Sequence, residues 1–202
     1  MPSLSHRCLR CAQNLPIEQA DLICGLCLSH PPPMHRTYAL FPYQPPITHL
    51  ITGLKFKHQL SYGLALGELL AEKVRHEWYK KTPLPELIIP VPLHSSRLKE
   101  RGFNQAIEIA LPLSNHIPID RYGILRIKST VPQSQLNAQD RIKNVAQAFS
   151  LQRSYKGKYV AILDDVMTTG ATIRELSQTL LKAGVAQIDV WCCARRSNLT
   201  HI

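Results

Sequence analysis

No apolar run in this 202-residue sequence approaches the roughly 18 residues that a membrane-spanning helix needs. The first residues, MPSLSHRCLRC, have no apolar core of the kind a secretory signal carries. These two absences lead us to expect a soluble, cytoplasmic protein. Acidic side chains are scarce: 14 Asp and Glu stand against 24 Lys and Arg, for a formal net charge of +10. The shortage is greatest after residue 120, where 12 basic side chains face 5 acidic ones. Such a balance suits a polyanionic partner, either a nucleic acid or a phosphorylated small molecule. Internal repeats are missing, and nothing is of low complexity beyond a few proline clusters.

Cysteine, by contrast, is used in a pattern. Four of the six cysteines form CLRC (Cys8, Cys11) and CGLC (Cys24, Cys27), with 12 residues between the pairs. A two-residue gap lets both sulfurs of a knuckle reach one tetrahedral zinc at about 2.3 Å. The alternatives are a redox dithiol or plain core thiols. A segment this short has little core of its own and needs a staple, which favours zinc. Four protein ligands leave no open position, so the expected role of the ion is structural. Cys192 and Cys193 are adjacent in VWCCA; on a strand they face opposite sides and read as ordinary buried thiols.

After the cysteines, PPPMHR marks a stiff linker, so we expect a metal module over residues 1–36 and a main domain over 37–202. YALFPYQPP reads as a short extended piece broken by prolines. Helical spacing begins at Ile47, and Leu66, Leu69, Leu70, Val74 and Trp78 make an amphipathic helix of residues 62–81. ELIIPV (86–91) reads as a buried strand, PLHSSRLKERGF as a basic loop, and residues from Asn104 as a helix that Pro112 should kink or end. GILRIK (123–128) reads as a strand and residues 139–148 as a helix. KYVAILDD is a strand, TIRELSQTLLKAG a helix stopped by Gly184, and AQIDVWCCA a last strand. Strands alternating with helices predict an α/β fold with a mostly parallel sheet, whose ligands bind beyond the carboxyl ends of the strands.

Two loops with unusual chemistry fall at that end. In VAILDDVMTTGATI (160–173) an apolar strand runs into Asp164 and Asp165, then into Thr168, Thr169, Gly170, Ala171 and Thr172 at the start of a helix. Burying a carboxylate is costly unless something pairs with it. A helix cap accounts for one aspartate but not for two. A ribose 5-phosphate accounts for the whole stretch. Its phosphate takes the loop amides, the threonine hydroxyls and the positive end of the helix dipole. Gly170 lets the backbone come close. The vicinal sugar hydroxyls meet the two carboxylates, with Mg²⁺ held nearby.

VAILDDVMTTGAT resembles the phosphoribosyl pyrophosphate (PRPP) signature of type I phosphoribosyltransferases. In that fold a loop after an earlier strand holds the pyrophosphate. PVPLHSSRLKERGFNQA stands at the matching place, with Leu93, His94, Arg97, Lys99, Arg101 and Asn104 as its implied ligands and Glu100 facing away. PVPLH…R…RGFNQ itself is similar to the competence protein F (ComF, GntX-like) family. So is TVPQSQLNAQDRIKNVAQAF (130–149), matching at Thr130, Gln133, Leu136, Arg141, Asn144 and Phe149; the paired CxxC and LKFKH (54–58) fit too. The resemblance covers essentially the whole chain. It implies a type I phosphoribosyltransferase-like domain with an N-terminal zinc finger, acting in natural transformation on imported single-stranded DNA in the cytoplasm, beside other DNA-uptake proteins.

Two roles for the site stay open. One is transfer of a phosphoribosyl group from PRPP to an unidentified acceptor, with Mg²⁺, Arg97 and Arg101 neutralising the diphosphate that leaves. Purine-type relatives carry an acid just after the aspartate pair, where this chain has Thr168, so activation of a base acceptor is not supported. The other role is a non-catalytic PRPP-sensing pocket. For DNA the candidates are Lys55, Phe56 and Lys57 in LKFKH, with Arg195, Arg196, Arg7 and Arg10 as further cations. An aromatic between two lysines suits a base-stacking contact, and its alternative is a ring in the core.

Overall fold

The computed structural model describes residues 6–15, 22–128 and 147–197. Four parallel strands form the central sheet: β1 (Arg36–Pro42), β2 (Leu87–Pro90), β5 (Tyr159–Met167) and β6 (Gln187–Arg195), in the order β1-β6-β5-β2. Both faces of β5 are apolar, as a strand covered on two sides requires. Ala161 and Leu163 enter one core cluster; Val160 and Ile162 enter the other.

The first face is covered by three helices, α2 (Ile47–Lys57), α3 (Leu60–Lys73) and α5 (Gln105–Ala110). Ile51, Leu54, Leu66, Leu70 and Ile109 are fully or almost fully buried there, against Ile88 and Trp191. The second face is covered by α6 (Ala171–Lys182), through Ile173, Leu176 and Leu180. Beside α6 lies an antiparallel ribbon of β3 (Ile124–Arg126) and β4 (Phe149–Leu151). A short helix, α1 (Gly25–Ser29), carries Cys27, and α4 (Ser95–Arg101) follows β2. All four sheet strands run the same way, so the segments after β2, β5 and β6 open at one end.

Several local expectations change. YALFPYQPP contributes a true sheet strand: β1 pairs with β6 from Arg36–Asp189 to Pro42–Arg195. The long helix starts at Leu60, and its α-helical part ends at Lys73; a π-turn, Val74–Trp78, continues it. Pro112 does end its helix, which passes after Ala110 into a 3-10 turn, Leu111–Leu113. The basic loop is largely helical, since His94 caps α4: its Nδ1 accepts from the Ser96 amide at 3.3 Å. Only Ile124–Arg126 of GILRIK is strand, and it lies outside the parallel sheet. Most of the helix expected over 139–148 and of the 130–149 motif lies outside the described residues; Gln147, at its end, is in a turn with φ +53°. Among the described residues, no helix is long and apolar enough to cross a membrane.

Candidate ribose-phosphate site and tetracysteine knuckle

Asp164 and Asp165 stand near the end of β5, where strand alternation sends them to opposite faces of the sheet. Asp165 is 2% exposed and meets Lys55, whose ammonium forms an ion pair with its Oδ2. Asp165 Oδ1 accepts from the Val166 amide at 2.9 Å. Asp164 is half-buried, and its Oδ1 accepts from the Asp165 amide at 2.9 Å.

The two carboxyls therefore differ in charge. Burial opposes ionisation of Asp165, but the Lys55 ammonium, together with hydrogen bonds to Asp164 and the Val166 amide, holds the carboxyl below the usual carboxylate range. Burial also disfavours the Lys55 charge, and Asp165 reverses that, raising its basicity. For Asp164, burial and then the Asp165 charge push the carboxyl up to about 7, against a smaller opposing pull from the Lys55 ammonium.

Basic side chains gather round this pair from separate elements. Arg101, at the end of α4, is lowered by burial and partly restored by Asp165. Arg126 in β3 is lowered by burial and partly restored by Asp164. Arg97 weighs against both arginines as a like charge, so its guanidinium lies within their field. Arg97 and Arg101 are one helical turn apart on α4 and share a face, whereas Lys99 is turned away and exposed. Glu100 is an exposed neighbour of Arg97, 3.5 Å away. His94 is committed to its cap, and Leu93 is half-buried in the irregular segment before it. Asn104 is buried, donating to Val91 O at 3.0 Å and accepting from the Ala106 amide at 2.9 Å, so its amide group anchors α5 to the end of β2.

The threonine loop leads from β5 into α6. Gly170 has φ +79° and caps the helix, and a Cβ there would fall 2.6 Å from Met167 Cε. That strand-to-helix reversal requires glycine. The Ala171 amide donates to Thr169 Oγ1 at 3.4 Å, and the Arg174 amide closes the first turn on Gly170 O at 2.8 Å. The loop thus delivers the positive end of a 12-residue helix next to the aspartates. A hard divalent cation needs oxygen ligands and usually takes one or two carboxylates plus ligand phosphates. Asp165 is committed to Lys55, which leaves Asp164 as the carboxylate that fits Mg²⁺.

The sequence groups Lys55 with Phe56 and Lys57 as nucleic-acid candidates; in the fold the Lys55 ammonium pairs with Asp165. The sequence signal was available: a residue one position before Phe56 points to a different side of the helix. Phe56 itself is 68% exposed, with the Arg101 guanidinium 5.7 Å from its ring centroid, and Lys57 is exposed. Nothing local in the sequence marks Arg126, because it is the β3–β4 ribbon that brings it near Asp164. Arg195, a further candidate cation for DNA, is 4% exposed. Arg7 is half-buried, donating to Ala39 O and Leu40 O, and burial lowers its guanidinium to about 10. Arg10 donates to Pro32 O at 3.0 Å.

The four N-terminal sulfurs, of Cys8, Cys11, Cys24 and Cys27, all lie within 4.8 Å of one another. Tetrahedral zinc with bonds near 2.3 Å holds its sulfurs about 3.8 Å apart. Cys11 and Cys24 are 3.7 Å apart, and the Cys24 amide donates to Cys8 Sγ at 3.3 Å. The donor set is closed and mostly buried, and it fits a structural zinc. The knuckle sits on the sheet: the Thr37 amide donates to Leu9 O and Thr37 Oγ1 to Arg10 O, at 2.9 and 2.8 Å.

A parallel sheet carrying paired aspartates before a threonine–glycine helix start defines a phosphoribosyltransferase fold, and residues 101–200 match the phosphoribosyl transferase domain family. The chain belongs to the competence protein F family. It is 39% identical to competence protein F of Haemophilus influenzae over 180 residues, 85% of this chain and 78% of that one. It is also 39% identical to the DNA utilization protein YhgH of Shigella flexneri over 193 residues, 93% of this chain and 83% of the relative. Among solved structures, a purine phosphoribosyltransferase from Pyrococcus horikoshii aligns with a TM-score of 0.37 at 22% identity, over 69% of this chain and 75% of that one.

Proposed function

We propose that this chain binds PRPP or a related ribose phosphate at the end of β5 and serves the handling of imported single-stranded DNA in the cytoplasm. The observation that carries the first half is the aspartate pair set before a threonine–glycine helix start and ringed by Lys55, Arg97, Arg101 and Arg126. The 5-phosphate takes the amides and hydroxyls of Thr168–Thr172 at the α6 dipole. Asp164 accepts from a ribose hydroxyl, and Lys55 keeps Asp165 ionised without leaving its charge bare. Arg97 and Arg101 face the diphosphate. Magnesium on Asp164 would add charge neutralisation at that diphosphate.

The second half is supported by the competence and DNA utilization names of the relatives and by the +10 charge. On this reading Phe56 stacks on a base while Lys57 meets a phosphate, a pattern tolerant of sequence and sensitive to salt. Residues 1–36 act as a zinc-bearing module seated on a domain of residues 37–202.

A calorimetric titration with PRPP, with and without Mg²⁺, tests the pocket. Saturable binding that weakens in Asp164→Asn supports it; no heat and no thermal shift at about millimolar PRPP removes it. Pyrophosphate release with candidate acceptors then separates transfer from sensing.

A further inference from the structure

One buried guanidinium lies between the tetracysteine knuckle and the threonine loop. Arg195 closes β6, and its Nε donates to Cys11 O at 2.8 Å. The two N–H groups of its Nη1 are shared among Met167 O at 2.8 Å, Arg196 O at 2.9 Å and Thr168 O. Cys11 belongs to the knuckle; Met167 and Thr168 lead into the loop. Other bonds run parallel to it: Gln13 Nε2 donates to Arg196 O at 3.3 Å, and the Arg196 amide to Met167 O at 3.0 Å.

This geometry has two consequences. In a trans peptide the carbonyl and the following N–H point in opposite directions. Carbonyls of Met167 and Thr168 drawn onto Arg195 therefore turn the amides of Thr168 and Thr169 away from it. The orientation of two loop amides is thus set from behind, by a side chain of another strand. The second consequence is electrostatic. The guanidinium is buried, and the hydrogen bonds it donates go to the carbonyls of Cys11, Met167, Thr168 and Arg196. Four thiolates around one divalent ion leave a net double negative charge, and that charge would sit against the Cys11 end of the guanidinium. A phosphate in the loop would lie toward its other end.

We propose that Arg195 is a positioning residue that couples the knuckle to the phosphate loop, so that metal in the one and ribose phosphate in the other favour each other. The ligand half rests on the PRPP reading above; the mechanical half does not. Reciprocity is required: whatever factor zinc contributes to PRPP affinity, PRPP contributes to zinc affinity.

The test uses the full chain, zinc-loaded and chelator-stripped, with Arg195→Gln and Arg195→Lys as variants. Hydrogen exchange reads the amides of residues 168–171, calorimetry reads PRPP, and a colorimetric chelator reads zinc. Stripping zinc from the wild type should speed exchange at 168–171 while the amides of Val160–Leu163 stay protected. Arg195→Gln should retain about one zinc per chain and lose PRPP affinity by about tenfold or more, with Arg195→Lys between. Unchanged loop exchange on stripping, or wild-type PRPP affinity in Arg195→Gln, overturns the coupling. If the wild type binds no PRPP, the pocket assignment fails and loop exchange alone decides the coupling. Should Arg195→Gln not fold, the wild-type exchange comparison stands alone; a uniform rise through β5 and α6 on stripping counts as refutation, because the effect is then not carried by this contact.

Discussion

Lys55 of α2 is ion-paired with Asp165 of β5, and this contact ties the helical layer to the end of the strand that carries the candidate site. Asp165 is buried and the Lys55 side chain only 21% exposed, so neither charge is well solvated alone. Removing one partner leaves the other in a poor environment.

Lys55→Met should therefore destabilise the fold by about 3 kcal/mol, the lower end of the range for breaking a buried pair, because Lys55 keeps some contact with water. Adding Asp165→Asn should recover much of the loss. Urea unfolding of the two single variants and the double variant measures the coupling. A loss within about 0.5 kcal/mol in Lys55→Met, as for an exposed lysine, would sink this account.

The raised Asp164 carboxyl makes a pH prediction. Its value in the folded chain, about 7, lies above its ordinary value of 3.8. Between those values the folded state holds a proton that the unfolded state has released, so this group costs stability as pH rises from about 4 to 7. The neighbouring Asp165 has the opposite sign: its lowered pKa stabilises the fold above the ordinary carboxylate range, and that contribution is lost on acidification. Asp164→Asn should flatten the loss between pH 5 and 7, roughly the span of the shift. Ribose-phosphate affinity, which needs the carboxylate, should rise through about pH 7 in the wild type and not in the variant. Thermal melts and calorimetry across this range read both trends.

Gly170→Ala forces a side chain into left-handed backbone and against Met167 Cε. We expect a loss of about 1–2 kcal/mol and a larger proportional loss of PRPP binding, since the loop itself must shift. A variant that melts lower but binds PRPP normally would show that the loop does not hold the phosphate.

Protein purified without chelator should carry about one zinc per chain, and Cys8→Ser should abolish its tight retention. The knuckle bonds to β1 and β6, so this substitution should also lower the melting temperature of the main domain. Metal analysis beside a melting curve checks both parts. An unchanged melting temperature after complete zinc loss would mean that the two parts are mechanically independent.

Phe56→Ala should leave stability within about 0.5 kcal/mol, because the ring is already largely in water. If the ring stacks on a base, single-stranded DNA affinity should fall by about 1–3 kcal/mol. Lys57→Ala should instead reduce the salt dependence by somewhat under one phosphate contact. Fluorescence anisotropy across a salt series separates the two effects, and unchanged DNA binding in both variants would move the interface elsewhere.

Much of this protein was written in local order. The doubled CxxC, the apolar strand running into Asp164 and Asp165, and the threonine–glycine start of α6 each lie within a short segment whose chemistry is complete in itself. The alternation of strands and helices gave the parallel sheet, and Pro112 its helix end, because period and backbone restriction are properties of neighbouring residues. The partners of those groups were not local. Lys55 reaches Asp165 only because α2 packs on the face of β5 that carries Ala161 and Leu163. Arg126 nears Asp164 only through a ribbon whose second strand, β4, is three residues long and carries too little periodicity to be read. Arg195 looked like one more basic residue near a basic C-terminus, yet it is enclosed by carbonyls from the knuckle and the loop. A charge on a chain has no intrinsic side: the packing of distant elements decides whether it faces water, a carboxylate or a ring of carbonyls, because burial is a property of the assembled fold and not of the residue.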